Sequence, residues 1–377
     1  MSRLKILLFC VVLLFAQGLS SKPKDKKAQF VYDINFEMNF DNREYYKSDF
    51  SRSMTIFASR LSPLVGVEFG QNKSVKQRVL AGVDLMKDFG SSKGRPYFRE
   101  MTFFYNLDRK FGDMNLTLVA GVFPRSFLMG DYSPAFFSDS LTFYDNNLEG
   151  LYLKFSKKKS FYELGCDWFS QYGEYSREKF MIYFAGNTHI NNYLSFAYSA
   201  YVLHFARSEK ADGVMDNILV NPHLDLDLST ILNFQEFKIS LGWLQAFQQD
   251  RLNVGHYVFP SGGELKFNAS KWNVGLENSL FLGTDMMPYY NSKDITGVKY
   301  GPNLYLGDPF YRVFDSPSVN VSQGDSAIKK LGIYNRLELY YEPRIAKNLN
   351  LKISAIFHFN DGYSGCQQMI GLNYSLF

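Results

Sequence analysis

Tyr32-Asp33-Ile34-Asn35-Phe36-Glu37-Met38-Asn39-Phe40 changes polarity at every step. A β-strand turns successive side chains to opposite faces, so Tyr32, Ile34, Phe36, Met38 and Phe40 share one face and Asp33, Asn35, Glu37 and Asn39 the other. One such strand suits either a soluble sandwich or the wall of a membrane barrel. Repetition and length separate the two.

The same alternation returns along the chain. Leu224, Leu226, Leu228, Leu232 and Phe234 oppose Asp225, Asp227, Ser229 and Asn233. Trp272, Val274, Leu276, Leu280 and Leu282 oppose Asn273, Gly275, Glu277 and Ser279. Leu349, Leu351, Ile353, Ala355, Phe357 and Phe359 oppose Asn350, Lys352, Ser354, His358 and Asn360. These faces run for about 11 residues, the length of a tilted strand crossing a bilayer and about twice the usual soluble strand.

Counting every such stretch predicts about 16 strands. They lie near 29–40, 53–70, 77–89, 96–107, 113–124, 147–157, 160–170, 178–188, 192–206, 222–234, 236–248, 262–269, 271–283, 332–343, 349–360 and 367–377. The second is the least regular, because its apolar parity changes between Ala58 and Leu61 just before Pro63; a bulge there keeps it a single strand and the count even. Links alternate in length. Short ones fall near Lys158, Asn191, Gln235, Ser270 and Arg344 to Asn348, and long ones at 41–52, 125–146, 207–221, 249–261 and 284–331. Turns at one end and loops at the other are the asymmetry of a transmembrane barrel. The reading is all-β: a transmembrane antiparallel β-barrel over 29–377.

Composition agrees. Tyr 26, Phe 36 and Gly 28 among 377 residues accompany a net charge of only +4, which gives no case for nucleic acid. Arg3 and Lys5, the apolar run Ile6 to Phe15 and small residues near Ser20 read as a signal peptide over 1–20, with 21–28 a short basic periplasmic tail. Past that segment nothing approaches the roughly 18 apolar residues of a membrane helix. Lipid attachment at Cys10 is a poor fit, since Phe9 precedes it and the apolar run continues. Cys166 and Cys366 are too few for a disulfide framework and read as two unpaired side chains.

In strand count and loop order the chain resembles the bacterial outer-membrane porins. That resemblance implies a bacterial outer-membrane location and that the acidic, aromatic loop 125–146 folds inward. Arg125, Asp131, Asp139 and Asp145 would then border a constriction, the alternative being a loop packed over the rim. Asp33, Glu37, Arg78, Asp225, Asp227, Arg336, Glu338 and Lys352 fall on the predicted lumen face; their mixed signs suit a hydrated, internally paired interior. The last strand resembles the terminal signal of outer-membrane barrels, with Phe377 closing it and Tyr374 on the face of Leu372 and Ile370. The implied partners are outer-membrane lipid, the barrel-insertion machinery and small polar solutes, with a homo-oligomer left open.

No cofactor, metal site or catalytic motif emerges. His189, His204, His223, His256 and His358 show no metal-ligand spacing, and no Gly-x-Ser-x-Gly turn is present. The leading expectation is therefore a non-enzymatic, porin-like channel for small polar solutes. A second is a surface binding or assembly protein using Tyr289, Tyr290, Tyr300, Tyr305, Phe310, Tyr311 and Phe314 of loop 284–331. An outer-membrane lipase or acyltransferase ranks last.

Overall fold

The computed structural model describes residues 28–376, apart from 73, 91–95, 253, 294–298 and 314–329. The expected signal peptide, the basic tail up to residue 27, Phe314 and Phe377 lie outside the described residues.

The strands follow one another as an antiparallel meander: β1 (Gln29–Tyr46), β2 (Met54–Asn72), β3 (Val75–Asp88), β4 (Phe98–Phe111), β5 (Met114–Pro124), β6 (Asn147–Lys157), β7 (Ser160–Ser170), β8 (Lys179–His189) and β9 (Leu194–Phe205). The second half continues with β10 (Met215–Asp227), β11 (Glu236–Asp250), β12 (Ser261–Lys271), β13 (Val274–Thr284), β14 (Leu331–Tyr341), β15 (Arg344–Ala346), β16 (Leu349–Asn360) and β17 (Ser364–Ser375). β15 is a short spur on β16, beside the main β14–β16 pairing, so the wall itself has 16 strands among the described residues. Closure comes from β1, which pairs with β2 from Gln29↔Glu68 to Arg43↔Met54 and with β17 from Asn35↔Ser375 to Tyr46↔Ser364. A closed sheet has no unpaired edge, which is what lets strands cross lipid.

Alternation sets the two surfaces. Phe30, Tyr32 and Ile34 of β1, Leu241 and Trp243 of β11, and Ile333 and Leu339 of β14 are exposed on the outside of the wall. Inward, Phe104, Phe123, Tyr152, Tyr183, Tyr201 and Tyr334 are buried in one apolar cluster. The core of this protein therefore lies inside the barrel. The connection from β12 to β13 is sharp: Trp272 and Asn273 both take positive φ (54° and 66°), as a two-residue hairpin turn whose twist matches its strands requires.

Three details depart from the sequence reading. β2 is one strand, but no bulge is needed: its register on β1 is unbroken through Ile34↔Pro63. The apparent parity change reflects only the small Ala58 facing in while Phe57 and Leu61 face out. β1 runs on to Tyr46, through residues expected to be loop. β10 lies at 215–227 rather than 222–234, because Asp227 Oδ1 accepts from both the Ser229 amide (2.9 Å) and its hydroxyl (2.6 Å). That turn leads into the short helix Ser229–Leu232, and Asn233 ends it in the left-handed region, φ 54°.

Candidate functional site

Loop 125–146 enters the barrel. At its base Arg125 donates to the carbonyls of Asp145 (3.0 Å) and Asn147 (3.3 Å) and to Asp167 of β7 (3.2 Å), so it ties the loop's two ends to the wall. Beyond the base, Glu163 of β7 accepts from the Met129 and Gly130 amides and the hydroxyls of Tyr132 and Tyr152, all within 2.9 Å. The loop then crosses the lumen. Asp131 lies 3.0 Å from Lys266 and 3.4 Å from Lys238, on β12 and β11. Ser133 donates to Glu264 of β12 at 2.6 Å. The helix Asp139–Tyr144 is N-capped by Ser138 and directs Asp139 to Arg336 of β14, 3.1 Å away.

Burial alone raises the Asp131 carboxyl, but Lys266, the His223 ring 3.6 Å away, and Lys238 together hold it well below the usual carboxylate range. Asp139 follows the same logic: burial pushes up, and Arg336 prevails and lowers it.

The second long loop also folds in. Its described parts, 285–293 and 299–313, bury Tyr289, Tyr290, Tyr300, Phe310 and Tyr311. Tyr300 donates to Asp250 (2.7 Å), Tyr305 to Gln248 (2.9 Å) and Tyr311 to Glu264 (2.6 Å), while Arg312 forks onto Asp49 of the loop after β1 (2.6 and 3.1 Å). These rings hold the loop inside the barrel, so they are not displayed for stacking outside. The two loops meet: the Asp308 amide donates to the Pro134 carbonyl (2.8 Å) and the Ser138 amide to that of Leu306 (2.9 Å). Gly307 sits so close that a Cβ there would lie 1.9 Å from the Ala135 carbonyl oxygen.

The residues singled out from sequence therefore fall into separate places. Asp131 and Asp139 span the lumen, whereas Arg125 and Asp145 stay at the loop base, 3.4 Å apart. Asp225 is buried beside Lys238 (3.0 Å), and Arg78 faces inward to Glu68 (2.8 Å). Asp33 is on the inner face, near the end with short turns, and accepts from the next amide. Asp227 caps a turn and is exposed rather than lumen-lining. Tyr374 shares the outward parity of Ile370 and Leu372 and pairs with Phe36.

Glu37, Arg336, Glu338 and Lys352 border a cavity of about 520 Å³ beneath the helix Asp139–Tyr144, together with Asn350 and Asn373 at the short-turn end. Within it Glu338 bridges Arg336 (2.9 Å) and Lys352 (2.8 Å). The interior is thus filled in its long-loop half and hollow and charged in its short-turn half. Asp131, His223 and Asp225 bring ligand-type atoms within 4.8 Å of one another. Lys238 and Lys266 already neutralise those carboxylates. Cys166 and Cys366 are both free thiols.

A closed antiparallel wall, apolar outside, with aromatic rings, paired charges and two docked loops inside, defines a β-barrel of the outer-membrane type. The family model described as lipid A 3'-O-deacylase-type matches residues 22–375, and the chain belongs to that family. Among solved structures it is similar to a loop L8 deletion mutant of OmpT, an outer membrane protein of Vibrio cholerae, with TM-score 0.52 and 11% identity over 93% of this chain and 100% of that one. Pseudomonas aeruginosa OpdO gives TM-score 0.52 at 12% identity over 92% and 97%. No curated protein matches. At these identities the structural likeness is one of fold.

The family is named for an enzyme activity, which corrects the non-enzymatic expectation. A barrel assembles its groups across strands, from residues that no local motif joins.

Proposed function

We propose that this protein is an outer-membrane hydrolase that removes an ester-linked acyl chain from a lipid A-type glycolipid. The family match over residues 22–375 carries this reading. The filled long-loop half of the barrel supports it physically, because docked loops occupy the space that a solute entering from that end would need. The substrate then meets the protein from the lipid side or at the rim.

The test is direct. Folded protein in mixed micelles with lipid A should release free fatty acid and a glycolipid lighter by one acyl chain, read by mass spectrometry. Intact lipid A after prolonged incubation with correctly folded protein would overturn the reading. A second reading, diffusion of small polar solutes, is favoured by the charged cavity at the short-turn end. It predicts steady single-channel conductance from the wild-type protein in planar bilayers.

A further inference from the structure

On the outside of the wall, at the long-loop rim, one cross-strand row crosses four strands: Trp168↔Phe180↔His204↔Asp216, on β7 to β10. Its members alternate with buried, inward Asp167, Met181, Leu203 and Asn217, so the row faces outward. The Trp168 and Phe180 rings stack at 4.9 Å, and Phe180 lies 5.0 Å from the His204 ring. His204 Nδ1 is 3.7 Å from Asp216 Oδ1. Arg251 reaches Asp216 Oδ2 at 2.7 Å, and the Tyr257 hydroxyl donates to the same oxygen at 3.4 Å.

Resting on the deacylase reading, we propose that this row is the hydrolytic site: His204 is the general base, Asp216 orients it, and Arg251 receives the anionic part of the glycolipid headgroup. Ionisable groups on a lipid-facing wall are costly unless they meet headgroups or water. Here they stand at the rim, with the His204 side chain 28% and that of Arg251 54% exposed. A carboxylate beside Nδ1 favours the proton there and leaves Nε2 to act as base. The stacked rings beside it offer a flat apolar shelf for an acyl chain or sugar face. The other histidines are placed differently: His223 and His358 are buried in the lumen, His189 ends β8 at the short-turn end, and His256 lies in the loop after β11.

The step balances without a co-reactant. Nε2 takes a proton from water as the water oxygen bonds to the ester carbonyl carbon. The tetrahedral intermediate then breaks its bond to the sugar oxygen, which leaves with the proton from Nε2. The products are a free hydroxyl and a fatty acid.

The experiment uses the full-chain barrel in mixed micelles with lipid A, with folding checked by heat-modifiable migration. His204→Asn keeps a side-chain N–H toward Asp216 and removes the base; it should lower kcat by about 10²-fold or more with KM little changed. Asp216→Asn should lower kcat less, and Arg251→Gln should mainly raise KM. If His204→Asn fails to fold, His204→Gln serves the same comparison. Wild-type hydrolysis with an unaltered His204→Asn rate overturns this site and leaves the deacylase reading standing. No hydrolysis by folded wild-type protein overturns both.

Discussion

At the scale of single residues, the interior is held by charges that cannot be removed one at a time. Arg60 and Asp84 meet at 3.1 Å with both side chains almost wholly buried, and Arg60 also donates to the Tyr144 carbonyl at the end of the inward loop's helix. Asp84→Asn leaves the guanidinium buried without its counter-charge, a loss of about 3–5 kcal/mol. Heat-modifiable migration should show the variant unfolding at a clearly lower temperature. Asp131 gives a pH prediction. Its folded-state pKa is depressed, so its contribution to loop docking is present above the ordinary carboxylate pKa of about 3.9. That contribution is lost only as pH falls through the lower folded value. Docking should therefore persist at pH 4 in the wild type, while Asp131→Asn weakens it even at neutral pH. Protease access to loop 125–146 at each pH is the readout.

Elements show where sequence stops informing. Wall strands were legible because each residue's environment is set by its parity, as in β1, where Phe30, Tyr32 and Ile34 all face outward. The loops had no such rule. Asp131 and Asp139 were visible as acidic loop residues, but their partners Lys266 and Arg336 lie far along the chain. Nothing local distinguishes a loop docked inside from one laid over the rim. The same holds for the His204–Asp216 pair, which alternation puts on two strands and only the β9–β10 register brings together. The loop–loop junction adds a test of its own. At Gly307 any side chain would strike the Ala135 backbone, with a Cβ at 1.9 Å. Gly307→Ala should force the two loops apart while leaving the wall register intact, seen as faster proteolysis within 285–313 at an unchanged circular dichroism signal.

For the whole molecule, the wall separates two chemistries that can be varied independently. The inner face packs aromatic rings and paired charges around docked loops, and the outer face presents apolar side chains with the His204 row at one rim. If hydrolysis occurs outside, it does not depend on whether the lumen is open. Two variants then separate the faces. Gly307→Ala should raise conductance in planar bilayers above the wild-type level and leave acyl release within about twofold, since the loop junction lies inside the barrel and the His204 row on its outer face, and sites without shared partners couple weakly. His204→Asn should do the reverse, lowering acyl release with conductance unchanged. A Gly307→Ala protein that conducts and also loses hydrolysis would place the reaction among the docked loops, not on the wall.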